Sequence, residues 1–188
     1  CVDLDPTSCN FNWNDEYTPL SNTSGEKFVR GIKVGAFAEK VVVQESQCVK
    51  LPDDIPFDVA SLLACGVITG FGSVKNSAKL SEGQTAMVFG CGGVGLNALQ
   101  GAKFNLASKI IAVDISETKL RIAKMFGATH CISGNSNNLK DQVMELTDGD
   151  GVDYVFITVG VGKLFEDSVK YLKKGGTAVL VGMPPSKD

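Results

Sequence analysis

Thr85–Asp114 reads TAMVFGCGGVGLNALQGAKFNLASKIIAVD, and this stretch decides the fold. Ala86-Met87-Val88-Phe89 is a short apolar run with the length and bulk of a buried parallel strand. Gly90-Cys91-Gly92-Gly93-Val94-Gly95 follows and fits G-x-G-x-x-G. A helical pattern comes next, in which Val94, Leu96, Leu99, Ala102 and Phe104 share one broad face. A second apolar run, Ile110-Ile111-Ala112-Val113, ends in Asp114.

Each part suits a dinucleotide. Gly90 permits the tight turn, Gly92 lets the backbone approach a pyrophosphate, and Gly95 lets the helix pack close to the strand. The helix start offers unpaired N–H groups and about half a positive charge to the phosphates. Asp114, nineteen residues after Gly95, stands where a carboxylate accepts hydrogen bonds from an adenosine ribose. The same charge repels a 2′-phosphate, which favours NAD over NADP. Two other readings share the motif: a glycine turn in an α/β domain without nucleotide, and a methyltransferase-type site. The order of strand, motif, helix, strand and acid favours the dinucleotide.

The bulk numbers describe a soluble globular protein. The 188 residues carry a net charge of −3, with 44% hydrophobic and 21% charged residues. That balance points away from nucleic acid and anionic membranes as partners. No apolar run approaches membrane-spanning length, and no signal-peptide pattern is present. Six scattered cysteines without a secretory signal point to reduced thiols and a cytoplasmic location. The chain begins at Cys1 rather than Met, and it reads as part of a larger polypeptide.

Outward from the central stretch, residues 1–30 read as irregular. Ala36–Val43 and Val49–Pro52 read as short strands. Residues 57–64 and 67–79 read as two helices broken at Cys65-Gly66. After Asp114, helices are expected over 117–126, 139–146 and 163–173, the last closed by Gly175-Gly176. Strands are expected over 129–132, 152–159 and 177–181. Five strands with helical connections imply a doubly wound parallel sheet of order 3-2-1-4-5, one strand short of the full Rossmann fold.

Four segments together resemble the zinc-dependent medium-chain alcohol dehydrogenases, over essentially the whole length. Cys1-x7-Cys9 is similar to half of a structural-zinc lobe. Ala64-Cys65-Gly66 with Thr69-Gly70-Phe71-Gly72 resembles the segment holding a catalytic-zinc ligand. Val88–Leu96 is similar to the coenzyme loop, and Val181-Gly182-Met183-Pro184-Pro185 to the strand end beside the nicotinamide.

The resemblance implies an NAD-linked, zinc-dependent oxidoreductase acting between a small alcohol and its aldehyde or ketone, working as a homo-oligomer (dimer or tetramer). It implies that residues 1–66 are the remnant of a β-rich, GroES-like catalytic domain and that 67–188 are an NAD-binding Rossmann domain, incomplete at its C-terminal end. Cys65 would be a catalytic-zinc thiolate, and Cys1 and Cys9 structural-zinc ligands. Thr69 and Val94 would shape the nicotinamide face, with Val181, Gly182 and Met183 near the carboxamide. Gly93 and Val94 N–H groups would meet the pyrophosphate. Asp114 and Lys119 would take the ribose, and Ile115 and Val159 would sandwich the adenine.

Departures from the family pattern are specific. The other catalytic ligands are expected upstream of Cys1, and His130, the single histidine, falls on a strand. Ile157 stands where the family commonly has Glu, and Cys91 replaces an apolar residue in the phosphate loop. Two alternatives stay open: a non-catalytic NAD-binding unit, and a zinc-free relative of the quinone-reductase kind. Short-chain dehydrogenase chemistry is disfavoured, because no Tyr-x-x-x-Lys occurs.

Overall fold

Continuous apolar runs on the central strands build the core. The structure, a computed structural model, describes residues 21–26, 39–41, 43 and 45–184. The chain divides into compact units of residues 1–55 and 56–188. The second unit contains helices α1 (Phe57–Ala78), α2 (Gly93–Phe104), α3 (Glu117–Met125), α4 (Leu139–Leu146) and α5 (Gly162–Asp167). Its strands are β1 (Thr85–Phe89), β2 (Lys109–Asp114), β3 (His130–Ser133), β4 (Val152–Ile157) and β5 (Leu172–Leu180). They form one sheet in the order β3-β2-β1-β4-β5, all neighbours parallel. The expected strand order is therefore met.

Successive side chains on a strand point to opposite faces. Ala86, Val88, Ile110, Ala112 and Phe156 face one side, against Leu99 and Ala102 of α2, Leu120 and Ala123 of α3, and Val74 of α1. Met87, Phe89, Ile111, Val113, Val155 and Ile157 face the other, against Leu139 and Val143 of α4 and Tyr171. Burying each Val, Ile or Phe on these strands contributes roughly 1.5–3 kcal/mol. The three central strands are buried on both faces, and this holds their C-terminal ends in register as a platform.

Four local expectations are corrected. The helix over 57–78 is continuous, with no break at Cys65-Gly66. Its backbone widens into π turns at Leu63–Val67 and Ser73–Ala78, so the helix absorbs the glycines without ending. Its 22 residues are long and apolar enough to cross a membrane by length and composition alone, which corrects the expectation that no apolar run approaches that length. In this fold, Gly70 and Val74 of that helix pack on α2. Val49–Leu51 is not a strand, and Val49 is exposed. The Ala36–Val43 strand falls mostly outside the described residues, and Glu39–Val41 is not strand.

The last helix also stops earlier than expected. It passes through a 3-10 turn at Ser168–Tyr171, and β5 begins at Leu172. Gly175 and Gly176 lie inside that strand, at a register shift between Val152 and Tyr154 of β4. Gly175 has a φ of +79°, which suits a bulge.

At the opposite end of the sheet from the glycine loop, Asp153 ties β4 to β1. Its carboxylate accepts the Thr85 N–H and the Thr85 hydroxyl, both at 2.8 Å, and pairs with Lys173. Burial alone would raise the Asp153 pKa, but Lys173 and the two Thr85 donors hold it below the usual carboxylate value. A depressed folded-state pKa stabilises above the unfolded value near 3.9, and that contribution is lost as pH falls through the folded value. Urea midpoints measured from pH 6 to 2 should fall on the acid side. Asp153→Asn should begin lower at pH 6 and fall less steeply. Parallel acid limbs would exclude Asp153 as a source of the pH dependence.

Candidate coenzyme site

The site grows from the loop after β1. Gly90 adopts a φ of +91°, which only glycine takes without strain. A Cβ there would lie 2.4 Å from Val159 Cγ1. Gly95 is closer packed: a Cβ would lie 1.8 Å from the Gly90 carbonyl oxygen and 2.9 Å from Thr158 Oγ1. By contrast, a Cβ on Gly92 or Gly93 would meet nothing within 4 Å. The loop is thus closed on its protein side and open on its outer side.

Gly92 is the N-cap of α2 and makes no side-chain capping hydrogen bond. The N–H groups of the first helical turn, including Gly93, Val94 and Gly95, have no intrahelical acceptor. They are positioned to donate to an anion in the open space over Gly92 and Gly93.

Two polar side chains fix the loop from either side. From β2, Asp114 accepts the Cys91 N–H at 2.7 Å through Oδ2 and the Ser116 N–H at 2.9 Å through Oδ1. From the end of β4, the Thr158 hydroxyl lies 2.9 Å from the Phe89 carbonyl and 3.0 Å from the Gly90 carbonyl, either of which can accept its proton. Thr158 is absent from the expected site. Its one sequence signal is a hydroxyl directly after a fully apolar strand end, as Asp114 is a carboxylate at one.

Cys91 is 2% exposed, and burial, reinforced by the charge of Asp114, pushes its thiol pKa up to about 12. It is a protonated thiol at neutral pH, which fits a small packed residue rather than a redox group. His130 lies on β3, at the edge of the sheet, with its Nδ1 2.9 Å from Thr129 Oγ1. Ile157 is fully buried in the second face of the core.

The remaining predicted residues fall around this loop. A Cβ on Gly70 would lie 2.1 Å from the Val94 carbonyl oxygen, so α1 crosses the start of α2 next to Thr69. Thr69 and Val94 are brought into one neighbourhood. Cys65 lies about one helical turn before Thr69 and is exposed. Val159 packs beside Gly90, whereas Ile115 projects from the end of β2 with 72% of its surface exposed. Gly134 backs Ile115, a Cβ there lying 3.2 Å from Ile115 Cγ2. Lys119 is exposed on the first turns of α3.

Val181 and Gly182 both donate their N–H groups to the Ile157 carbonyl, at 2.9 and 2.8 Å. What they offer a carboxamide is therefore carbonyl acceptors. Met183 lies beyond them, exposed, and its carbonyl oxygen would be 2.4 Å from a Cβ on Gly160.

The metal expectation has less support. Among the described residues, no three His, Cys, Asp or Glu side chains gather as a metal site. Cys1 and Cys9 lie outside the described residues. Cys65 supplies one sulfur, and one ligand does not hold a tetrahedral zinc. The described residues fit a dinucleotide and do not by themselves fit zinc.

Comparison with known proteins gives a consistent picture. Residues 93–188 match a family described as zinc-binding dehydrogenase. The chain is 38% identical over 175 residues to an S-(hydroxymethyl)glutathione dehydrogenase of Saccharomyces cerevisiae, covering 90% of this chain and 45% of that protein. It is 36% identical over 197 residues to alcohol dehydrogenase-like 1 of Arabidopsis thaliana, covering 95% and 50%. Among solved structures, a benzyl alcohol dehydrogenase from Acinetobacter calcoaceticus superposes with a TM-score of 0.78 at 32% identity, covering 87% of this chain and 46% of that one. A zinc-binding-domain alcohol dehydrogenase protein from Burkholderia ambifaria superposes with a TM-score of 0.81 at 32% identity, covering 88% and 45%. The chain spans about half the length of the curated relatives it matches.

Proposed function

This chain belongs to the zinc-binding dehydrogenase family, and on that premise we propose that the whole protein transfers hydride between a small alcohol and NAD. Bound NAD would supply the hydride acceptor at its nicotinamide ring. This chain's own part is to bind and orient that coenzyme. The pyrophosphate would rest over Gly92 and Gly93, on the N–H groups at the start of α2. The adenosine ribose would meet Asp114, with Lys119 at the rim, and the adenine would lie by Ile115 and Val159. The nicotinamide would lie towards Thr69, Val94 and the carbonyls of Val181 and Gly182.

One observation carries this reading. Gly90 and Gly95 are closed against protein while Gly92 and Gly93 face open space, beside a carboxylate at the end of β2. A glycine turn serving only the packing would need just the closed positions. Cys65 would join further ligands to hold a catalytic zinc in the whole protein, and Cys1 and Cys9 a structural one. The chain by itself is expected to bind coenzyme without turning over alcohol.

Isothermal calorimetry tests the coenzyme claim. NAD should bind, and at about a hundredfold its Kd should stabilise the fold by roughly 2.7 kcal/mol. NADP should bind much more weakly, because its 2′-phosphate meets the charge of Asp114. No heat and no stabilisation with NAD would exclude the reading, and equal affinities would remove Asp114 from coenzyme selection. In the whole protein, about two zincs per chain would favour the alcohol dehydrogenase over a zinc-free quinone-reductase type.

A further inference from the structure

The carboxylate of Asp114 already has work before any ribose arrives. It is 9% exposed, and each of its oxygens accepts one backbone N–H: Cys91 from the glycine loop and Ser116 from the turn after β2. Cys91 is itself buried, so its N–H has no recourse to water if that acceptor is removed. A buried donor left without a partner is expensive, and a bond to an ionised acceptor is the stronger kind.

A carboxylate has about four acceptor positions. Two are used here by the loop and the turn, which leaves two for the vicinal hydroxyls of a ribose. The same backbone strap is tied to β2 a second time, because the Gly90 N–H donates to the Val113 carbonyl at 2.8 Å. The carboxylate therefore joins the adenosine half of the site to the phosphate half.

We propose that Asp114 is a positioning residue for the pyrophosphate loop as well as the ribose acceptor: it holds the Cys91 peptide so that the N–H groups of α2 face the phosphates. This deepens the NAD reading given above and rests on it for its second part. It carries a consequence for coenzyme choice. Removing the charge at position 114 relieves the repulsion of a 2′-phosphate, yet it also loosens the loop that both coenzymes use. Substitution there should weaken NAD without producing a tight NADP binder.

The first test needs no coenzyme. Amide hydrogen exchange in the free protein should show the Cys91 N–H protected, and Asp114→Ala should speed it by at least about tenfold, with the Ile111 and Ala112 amides of β2 unchanged. If Asp114→Ala does not fold, Asp114→Asn, which keeps one acceptor, serves with a smaller expected change. Wild-type exchange at Cys91 in a folded variant would overturn the proposal.

The second test compares NAD with an analogue whose adenosine ribose lacks both hydroxyls. A ribose-only role predicts that Asp114→Ala leaves the analogue's affinity unchanged, and that result would also overturn the proposal. A loop-positioning role predicts that Asp114→Ala weakens the analogue too, by about tenfold. Should wild-type protein bind neither ligand, the dehydrogenase reading fails, and the Cys91 exchange still decides the role of Asp114 in the loop.

Discussion

Gly95→Ala should abolish measurable NAD binding and lower stability, whereas Gly92→Ala should weaken NAD and leave stability almost unchanged. The two glycines lie in one motif, three residues apart, and differ in what a methyl would meet. At Gly95 the methyl would sit 1.8 Å from the Gly90 carbonyl oxygen, with the Gly90 carbonyl carbon and Thr158 Oγ1 both at 2.9 Å. Backbone cannot turn aside as a flexible side chain can, so α2 must back away from β1. That movement takes the first-turn N–H groups with it, and a misplacement of about 1 Å in a positioned site can cost a hundredfold.

At Gly92 nothing lies within 4 Å, and the φ of −82° and ψ of −170° suit alanine. The methyl there occupies only the space assigned to the pyrophosphate. Overpacking of about 1–3 kcal/mol would appear in binding alone, as a loss of roughly fivefold to 150-fold. Thermal melts and calorimetry on both variants check this. Unchanged NAD affinity in Gly92→Ala would move the phosphates elsewhere.

Much of this loop is legible in the sequence, for a physical reason. Glycines in G-x-G-x-x-G are demanded by local geometry, and Ala86–Phe89 and Ile110–Val113 carry their burial in their composition. The sheet order follows from the alternation of strands and helices. What escaped the sequence depended on partners far along the chain. Thr158 matters because its hydroxyl reaches carbonyls of residues 89 and 90, and its one local sign, a hydroxyl directly after an apolar strand end, does not name those partners. Cys65-Gly66 reads as a break because glycine lowers helix propensity, but packing of Gly70 and Val74 on α2 outweighs the roughly 1 kcal/mol that one glycine costs. Gly175-Gly176 reads as a helix stop, and its actual place is a bulged strand paired to β4. Burial in a core is periodic and visible, whereas a hydrogen bond across the sheet leaves no period.

Gly70→Ala and Gly72→Ala should move stability in opposite directions, although both glycines lie on the same stretch of α1. Replacing an interior helical glycine by alanine favours the helix by about 1 kcal/mol. At Gly72 the nearest atom to the new methyl is Asn76 Nδ2 at 3.7 Å, an ordinary contact, so the propensity gain stands and the melting temperature should rise. At Gly70 the methyl would lie 2.1 Å from the Val94 carbonyl oxygen, 2.8 Å from Asn97 Cβ and 2.9 Å from the Ala98 nitrogen. None of these is the far end of a flexible chain, so α1 and α2 must separate.

The cost of that separation, about 3 kcal/mol or more, exceeds the propensity gain. The net is a loss of about 2 kcal/mol or more, or a melting temperature lower by roughly 4–8 °C for a unit of this size. Separation also disturbs the contact between the Thr69–Gly70 segment and the first turn of α2, so NAD affinity should fall with stability in Gly70→Ala and hold in Gly72→Ala. A Gly70→Ala protein with wild-type melting temperature and wild-type NAD affinity would mean that the helix crossing beside the coenzyme loop is looser than this geometry requires.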